Sequence, residues 1–453
     1  MLNEDELEKW KIKNLKLKNY PQFDHKNVVK QENIFDYITN PDCIANHSFY
    51  PFLHTQIIMK KYHKNKGKYK KVRDIYFSSH KDRLIFSYYS LILNDLYNTY
   101  AKEEGIDKNI LGYRNTLANN NNINFVKIIF DKIRKFDSCF ILVGDFSNFF
   151  DNLDHQHLKK SLLEILKVDS LPKNWYNVYK NLSKYSYCNL NEILKNKNIS
   201  LKNLYLESRI FTNKEFHQLK REKKLKIYKN NLNVGIPQGN SLSAVLSNVF
   251  MAEFDKNLID SLKEYNGEYY RYSDDFIIII PYSEKKTLES FKNKFNILIN
   301  SFSNLNLQEE KTKKYIYQNG KIIGKNNYIN YLGFSFDGRN IFIRDKTIGK
   351  YYYRLYRKLK TIKRNNWYTK KGNKISCKNL YKHYSIKGDY ISDTHKGNFF
   401  SYVNRCLNIF NKKESKKIKH IKNINLIKIR KFLNKINNLE ISLAEINKIN
   451  INN

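Results

Sequence analysis

Two short runs of strand-forming residues lie close together in the sequence, and a pair of adjacent carboxylates lies between them. The first run is Glu268–Tyr272, which carries three tyrosines, and the second is the apolar run Phe276–Ile280. Only Ser273, Asp274 and Asp275 lie between them, which leaves room only for a tight hairpin. A hairpin places both carboxylates at the edge of a sheet, where they are not buried without partners. Taken alone, this pattern favours a solvated turn.

The flanking sequence predicts how such a hairpin would be packed. The apolar run Phe140–Val143 ends at Gly144-Asp145 and is typical of a buried strand. Apolar residues recur at helical spacing over residues 153–167, 241–262 and 288–302. Further strands are expected near Tyr315 and Tyr331. This order of elements predicts an α+β fold with helices packed on one face of a small sheet.

The charge of the chain indicates a polyanionic partner. Lys and Arg number 82 against 43 Asp and Glu, a formal charge of +39. About half of that excess lies in residues 351–453, where 25 Lys and Arg face 5 Asp and Glu, and a second basic cluster covers Lys60–Arg73. Nucleic acid or an anionic membrane surface would fit such a charge.

Other features exclude several classes of protein. No apolar run approaches the roughly 20 residues needed to span a bilayer. The acidic N-terminus MLNEDELEKW is unlike a signal peptide. Five scattered cysteines without any CxxC exclude a zinc knuckle and a disulfide framework, which suits a reducing compartment. We therefore expect a cytoplasmic protein without a membrane partner.

Two further motifs contain residues suited to catalysis. Asp145 follows a predicted strand, so its carboxylate can meet those of the hairpin and offer the oxygen ligands that Mg²⁺ prefers. Two such ions can stabilise the attacking and leaving oxygens of an in-line displacement. The second motif is Gly235-Ile-Pro-Gln-Gly239, a rigid turn before a helix, in which Gln238 offers both a donor and an acceptor. Either motif alone is more typical of structure than of function.

The three motifs occur in one order, and this order resembles that of the reverse transcriptases. Seven blocks carry the resemblance, over about residues 70–340: Lys71-Val-Arg73-Asp-Ile75, Asp82-Arg83 with Gly112-Tyr-Arg114, Asp145 with Phe150, Gly235–Ser243, Tyr272-Ser-Asp-Asp275, Leu305–Thr312, and Tyr331-Leu-Gly-Phe334. The resemblance implies a right-hand polymerase of the α+β class. Residues 1–138 would form an N-terminal segment and fingers, and residues 139–340 the palm, with a small antiparallel sheet and a polar insertion at about 170–232. Residues 341–453 would form a thumb and a basic helical C-terminal region.

The resemblance also implies the catalytic residues. Asp145, Asp274 and Asp275 would bind two Mg²⁺ ions, for which Mn²⁺ is an alternative. Lys311 would protonate the departing pyrophosphate.

The same resemblance implies the residues that hold nucleotide and template. Phe150 would lie under the incoming sugar, where an aromatic ring excludes a 2′-hydroxyl. Arg73, with Lys71, would bind the triphosphate, for which a guanidinium is well suited. Gln238, with the adjoining Gly239, would contact the templating base pair.

Four other polar residues have structural explanations of equal or greater weight. Arg83 and Arg114 are as well explained by ion pairs that hold the fold as by ligand binding. His155 is better explained as a helix-start residue than as a catalyst. Asp151 is expected to cap the following helix rather than to bind metal.

The leading hypothesis is an RNA-directed DNA polymerase that extends a 3′-hydroxyl with dNTPs on an RNA template, giving a DNA product. The compact chain with a basic helical extension most resembles the bacterial defence-associated and abortive-infection reverse transcriptases, which would copy a noncoding RNA during antiphage defence. A template-independent or protein-primed DNA polymerase of the same fold is an alternative. A catalytically idle, maturase-like RNA-binding scaffold is another. A homo-oligomer is compatible with all of these.

Overall fold

The elements follow the predicted order along the chain. The computed structural model describes residues 4–63, 67–114, 121–281, 285–302, 304–324, 326–369, 372–375, 377–392, 395–411 and 416–437. Part of the basic cluster Lys60–Arg73 lies outside these residues. The strands are β1 Phe52–His63, β2 Gly67–Phe77, β3 Ser138–Asp145, β4 Ser186–Asn189, β5 Tyr228–Lys229, β6 Glu268–Tyr272, β7 Asp275–Pro281, β8 Lys313–Gln318, β9 Lys321–Ile323, β10 Ile329–Tyr331, β11 Phe334–Phe336 and β12 Ile341–Ile343.

Helices account for most of the remaining described chain. They are α1 Glu4–Asn14, α2 Ile34–Thr39, α3 Pro41–Ala45, α4 His80–Glu103, α5 Asn122–Ile133, α6 His155–Leu166, α7 Lys173–Ser183, α8 Leu190–Asn196, α9 Leu201–Leu204, α10 Asn213–Arg221, α11 Ser241–Lys263, α12 Lys285–Ser301, α13 Asp345–Arg364, α14 Cys377–Tyr384, α15 Phe399–Ile409 and α16 Lys416–Asn437. Short 3₁₀ helices cover Lys26–Lys30, Phe149–Asp151 and Ile386–Gly388. None of the described helices is both long and apolar enough to cross a membrane.

The chain divides into two compact units. The first comprises Met1–Ala118 and Phe140–Lys314, and the second comprises Asn119–Cys139 and Tyr315–Asn453. The predicted division into fingers, palm and thumb stays a prediction. All of the candidate site residues lie in the first unit.

The first unit is built around strands that carry the adjacent aspartates. Strand β7 lies between β6 and β3, and β6 pairs with β7 in antiparallel register. Helix α11 packs beside this sheet and buries the predicted apolar positions, among them Leu242, Val249, Phe250, Phe254 and Leu258. The hairpin, the helix and the preceding strand are therefore confirmed, with bounds within two residues of those predicted.

The segment predicted as a polar insertion, residues 170–232, is an integral part of the first unit. Its strands β4 and β5 extend the β1–β2 ribbon into a four-stranded sheet of order β2-β1-β4-β5. Its helix α7 buries Trp175, Val178 and Leu182. A second apolar core joins residues of this segment to Phe23 and Leu53. The predicted insertion into the palm stays a prediction, although widely spaced apolar residues between its lysines and asparagines contribute to a core.

The second unit contains the predicted hairpin at Tyr331 and the basic helices. Tyr331 lies opposite Phe334 in the β10–β11 pairing, so Leu332 and Gly333 form a two-residue loop. Both loop residues have positive φ, 42° and 93° respectively. This is the backbone that a type I′ hairpin requires. Helix α13 buries Ile348, Tyr351, Leu355, Leu359 and Ile362 on one face. Its opposite face is exposed and basic.

Candidate active site

The carboxylates of Asp145 and Asp274 lie at one edge of the β6-β7-β3 sheet. Asp145 ends β3 and is only 6% exposed. Asp274 lies in the two-residue loop between β6 and β7, where Tyr272 is opposite Asp275. The backbone nitrogen of Phe146 donates to the carbonyl oxygen of Asp274 at 3.1 Å, which ties the end of β3 to this loop.

The electrostatics of this pair favour a cation. Burial, and after it the neighbouring carboxylate of Asp145, raises the pKa of Asp274. Asp145 is buried and Asp274 half-buried, and two adjoining carboxylates in such surroundings repel each other when both are ionised. A divalent cation relieves this repulsion, and the oxygen donors present suit Mg²⁺. The site is therefore compatible with the expected metal chemistry.

The third predicted metal ligand is the carboxylate of Asp275. Asp275 is half-buried and begins β7. Within the described ranges, no group of three or more Asp, Glu, His or Cys side chains is arranged so that it could hold a metal ion. Mg²⁺ commonly takes one or two carboxylates and completes its shell with water and substrate phosphates. The predicted triad of Asp145, Asp274 and Asp275 stays a prediction.

Lys311 is brought to the same edge by the segment that contains it. The backbone nitrogen of Gln308 donates to the carbonyl oxygen of Asp145 at 2.8 Å, and Leu307 bridges to Phe146. The ammonium group of Lys311 then donates to Oδ2 of Asp145. The structure thus places the predicted proton donor on a predicted metal ligand.

The turn Gly235–Gly239 joins the segment after β3 to the β1–β2 ribbon. The backbone nitrogen of Ile236 donates to the carbonyl oxygen of Phe150 at 3.0 Å. The carbonyl oxygen of Gln238 accepts from the backbone nitrogen of Tyr76 at 3.0 Å. Phe150, predicted to contact the sugar, is therefore bonded through its backbone to the turn that contains Gln238, predicted to contact the base pair. Both side chains are half-buried.

Gly239 is required at its position by backbone conformation and space. Its φ is 112°, a backbone conformation that residues other than glycine rarely adopt. A Cβ there would lie 3.1 Å from the carbonyl oxygen of Tyr76 and 3.3 Å from Cγ2 of Ile75. The close approach of the turn to β2 therefore depends on glycine.

Lys71 and Arg73 share a face of β2 with Ile75. Side chains alternate along a strand, so residues 71, 73 and 75 point to the same side. Ile75 on this side contacts Gly239, while Arg73 is exposed and Lys71 is half-exposed. The structure therefore directs both predicted triphosphate-binding residues to the side of the ribbon that meets the Gly235–Gly239 turn.

The residues with structural explanations also have defined places. Arg114 is buried and donates to Oδ1 of Asn98 at 2.8 Å and to backbone oxygens, so it holds the fold through neutral acceptors. His155 begins α6 as predicted, and its Nε2 lies 2.8 Å from the carbonyl oxygen of Gly235. The prediction for Asp151 was wrong. Asp154 caps α6 by accepting from the backbone nitrogen of His157 at 2.9 Å, because Asp151 is still part of the preceding 3₁₀ turn.

A comparison with protein families finds one match. A sequence model of the family described as "Reverse transcriptase (RNA-dependent DNA polymerase)" matches residues 62–336. No curated protein matches the chain by sequence.

Several solved structures are similar to this chain. Apo telomerase from Candida tropicalis, truncated from its C-terminal domain, is 14% identical with a TM-score of 0.43, over 64% of this chain and 57% of that one. The apo telomerase of the same species is 15% identical with a TM-score of 0.40, over 84% and 61%. Candida albicans telomerase in complex with the TWJ fragment of telomeric RNA is 13% identical with a TM-score of 0.38, over 90% and 64%.

This chain therefore spans less than two thirds of the length of these telomerase chains. The family match at residues 62–336 covers more than half of the present chain and includes every candidate site residue. The chain belongs to the reverse transcriptase family.

Proposed function

We propose that the protein is an RNA-directed DNA polymerase that extends a 3′-hydroxyl with dNTPs. The observation that carries this proposal is the meeting of Asp145 and Asp274 at one sheet edge, with the pKa of Asp274 raised by burial and by Asp145. Asp145, Asp274 and Asp275 would hold two Mg²⁺ ions, or Mn²⁺ in their place. When bound, such ions stabilise the charge of the attacking and leaving oxygens.

The other side chains of the site have complementary tasks. The ring of Phe150 forms the floor of the sugar pocket and excludes a 2′-hydroxyl. Lys71 and Arg73 hold the triphosphate through charge-assisted hydrogen bonds. Gln238 and Gly239 contact the templating base pair. Lys311 carries a proton on Nζ beside Asp145 and gives it to the pyrophosphate oxygen that leaves.

Incorporation of labelled dNTP on a primed RNA template tests the proposal. Asp274→Asn keeps the side-chain size and removes the charge, so we expect incorporation to fall by about a hundredfold or more. RNA affinity should persist, since one negative charge leaves a basic protein. Asp260→Asn, at an exposed position of α11, is the matched control and should behave as wild type.

Two results would contradict the polymerase proposal. If Asp274→Asn extends primers at the wild-type rate, the polymerase proposal fails. If it loses RNA binding while the wild type incorporates no dNTP, the site is a binding surface and the scaffold hypothesis is favoured.

We further propose that the template is a noncoding RNA and that the enzyme acts in bacterial antiphage defence in the cytoplasm. The support is the resemblance of the compact chain, with its basic helical extension at residues 351–453, to defence-associated reverse transcriptases. Purification from the native host followed by sequencing of the bound nucleic acid would identify the template. A plaque assay with wild type and Asp274→Asn tests the defence role, which fails if both protect equally.

Product analysis separates the priming and templating modes. A product that matches the co-purified RNA is templated, whereas one with the same composition in the absence of RNA is template-independent. DNA that migrates with the protein after denaturation, and is released by protease, is protein-primed. Either of the last two results would replace RNA-directed synthesis with the alternative activity.

A further inference from the structure

A buried guanidinium holds the peptide that leads into Asp274. Ser273, the first residue of the β6–β7 loop, has a φ of 61° and is only 4% exposed. A positive φ at this loop position is normally supplied by glycine or asparagine. Nη1 of Arg271 donates to the carbonyl oxygen of Ser273 at 3.1 Å. The Ser273–Asp274 peptide is therefore fixed by a side chain from the same hairpin.

Arg271 is itself held from helix α11. Its side chain and that of Asp255 are both fully buried. Nε and Nη2 of Arg271 donate to the two carboxylate oxygens of Asp255 at 2.8 and 2.5 Å, and Nη1 also donates to Oδ1 of Asn248 at 3.1 Å. Although burial opposes the charge, the Asp255 carboxylate raises the pKa of Arg271, so the guanidinium stays charged.

The same group of residues joins the hairpin to the segment before residue 114. Nδ2 of Asn248 donates to the carbonyl oxygen of Gly112 at 2.8 Å. A Cβ at Gly112 would lie 3.0 Å from the backbone nitrogen of Ser273, so this segment packs directly against the loop. The backbone nitrogen of Leu111 donates to the carbonyl oxygen of Arg271 at 2.8 Å. The loop is therefore held from two sides.

Stability alone does not account for a buried ion pair at this place. Apolar residues of similar volume often stabilise a core as well as a buried ion pair does, because desolvation offsets the Coulomb attraction. An apolar side chain at residue 271 could not donate to Ser273. We infer that Arg271 is a positioning residue for nucleotide transfer, which fixes the Ser273–Asp274 peptide and so the directions of the Asp274 and Asp275 carboxylates. This inference rests on the proposed function of those carboxylates.

Arg271→Lys tests the inference because it keeps the charge and loses the planar set of donors. We expect kcat for dNTP incorporation to fall about 10- to 100-fold. The Mg²⁺ concentration at half-maximal rate should rise about tenfold, as for other residues that orient metal ligands. KM for dNTP should stay within about twofold, because the triphosphate contacts are unchanged. Circular dichroism at the assay temperature establishes that the variant is folded.

Tyr269→Phe is the matched control. It removes a hydrogen bond of 2.8 Å to Oδ1 of Asp255 and keeps the bond from Arg271 to Ser273. It should lower Tm while kcat and the Mg²⁺ midpoint stay at wild-type values. A purely structural role for this buried group predicts instead that both variants change activity only in proportion to their loss of stability.

The outcomes separate the inference from the proposed function. Wild-type kcat and Mg²⁺ midpoint in folded Arg271→Lys, or an equal midpoint change in Tyr269→Phe, would overturn the inference alone. A wild-type protein that incorporates no dNTP would overturn the proposed function and the inference with it. If Arg271→Lys does not fold, Asn248→Ala takes its place. This variant keeps the ion pair of Arg271 with Asp255 but loses the acceptor that orients Nη1 of Arg271. A wild-type kcat and a wild-type Mg²⁺ midpoint in Asn248→Ala would overturn the inference.

Discussion

The ammonium group of Lys311 donates to Oδ2 of Asp145, the carboxylate that ends β3. Burial, and after it the same carboxylate of Asp145, raises the pKa of Asp274. Lys311 therefore neutralises part of the charge at the position where a divalent cation is expected. A bound cation and this ammonium would compete for the same carboxylate oxygen.

Replacing Lys311 should therefore change metal affinity and turnover in opposite directions. In Lys311→Met the Mg²⁺ midpoint should fall about two- to fivefold, because a half-exposed ion pair with Asp145 contributes little more than this. kcat should fall about a hundredfold or more if Lys311 is the proton donor. Primer extension across an Mg²⁺ series measures both quantities, with Lys314→Met as the control. A raised Mg²⁺ midpoint would contradict the competition between the ammonium group and the cation. An unchanged kcat would contradict the role of Lys311 as proton donor.

The raised pKa of Asp274 predicts a pH dependence of stability. Because the folded protein holds this proton more tightly than the unfolded chain, the contribution of Asp274 to the free energy of unfolding rises as pH falls through the raised pKa. At neutral pH and without divalent cations, Asp274→Asn should stabilise the protein by on the order of 1 kcal/mol.

The difference in the free energy of unfolding between Asp274→Asn and wild type, measured from neutral pH downwards, isolates this group. The difference is necessary because other carboxyls titrate in the same range, among them Asp24, whose pKa burial raises to about 6. For Asp260→Asn, the difference in the free energy of unfolding from wild type should not change with pH. If Asp274→Asn is destabilising at neutral pH, the carboxylate is satisfied in the folded state and the expected repulsion from Asp145 is absent.

The sequence predicted the elements around the candidate site closely, because local patterns determine them. Strand β6 has the predicted bounds, and α11 and α12 differ from prediction by at most three residues. In each case the apolar spacing is regular and the ends carry turn residues. The start of α6 was less predictable, since Asp151 and Asp154 both precede it and only the backbone conformation decides which one caps it.

Bonds between distant segments leave no local pattern in the sequence. The bond between the backbone nitrogen of Tyr76 and the carbonyl oxygen of Gln238 involves no side chain. The role of Arg271 was equally hidden, because its partner Asp255 lies on another element. One signal was available: Asp255 is the carboxylate among the buried residues of α11, most of which are apolar. Buried charges almost always have a partner, so this position called for a basic residue nearby.

Phe150 provides a test of sugar selection. Its carbonyl oxygen accepts from the backbone nitrogen of Ile236, so its peptide is tied to the Gly235–Gly239 turn. Phe150→Val shortens the side chain and should let ribonucleotides enter while dNTP incorporation is partly kept. The ratio of kcat/KM for dNTP to that for NTP should fall about tenfold or more, equivalent to about 1.4 kcal/mol. An unchanged ratio in an active variant would remove Phe150 from the sugar pocket.

The exposed face of α13 provides the last prediction. Arg354, Arg357 and Lys358 are exposed on this helix, whereas Leu355 and Leu359 are buried. Replacing all three by Gln should weaken RNA binding and make its salt dependence shallower, by about 0.7 to 0.9 slope units for each phosphate that the protein no longer neutralises. Changing Lys220, Arg221 and Lys223 to Gln removes the same charge from exposed positions at the end of α10. Binding measured across a salt series should distinguish the two triple variants, because counterion release depends on the phosphates bound rather than on net charge. Equal slopes in both would mean that the basic face of α13 attracts RNA only through overall charge.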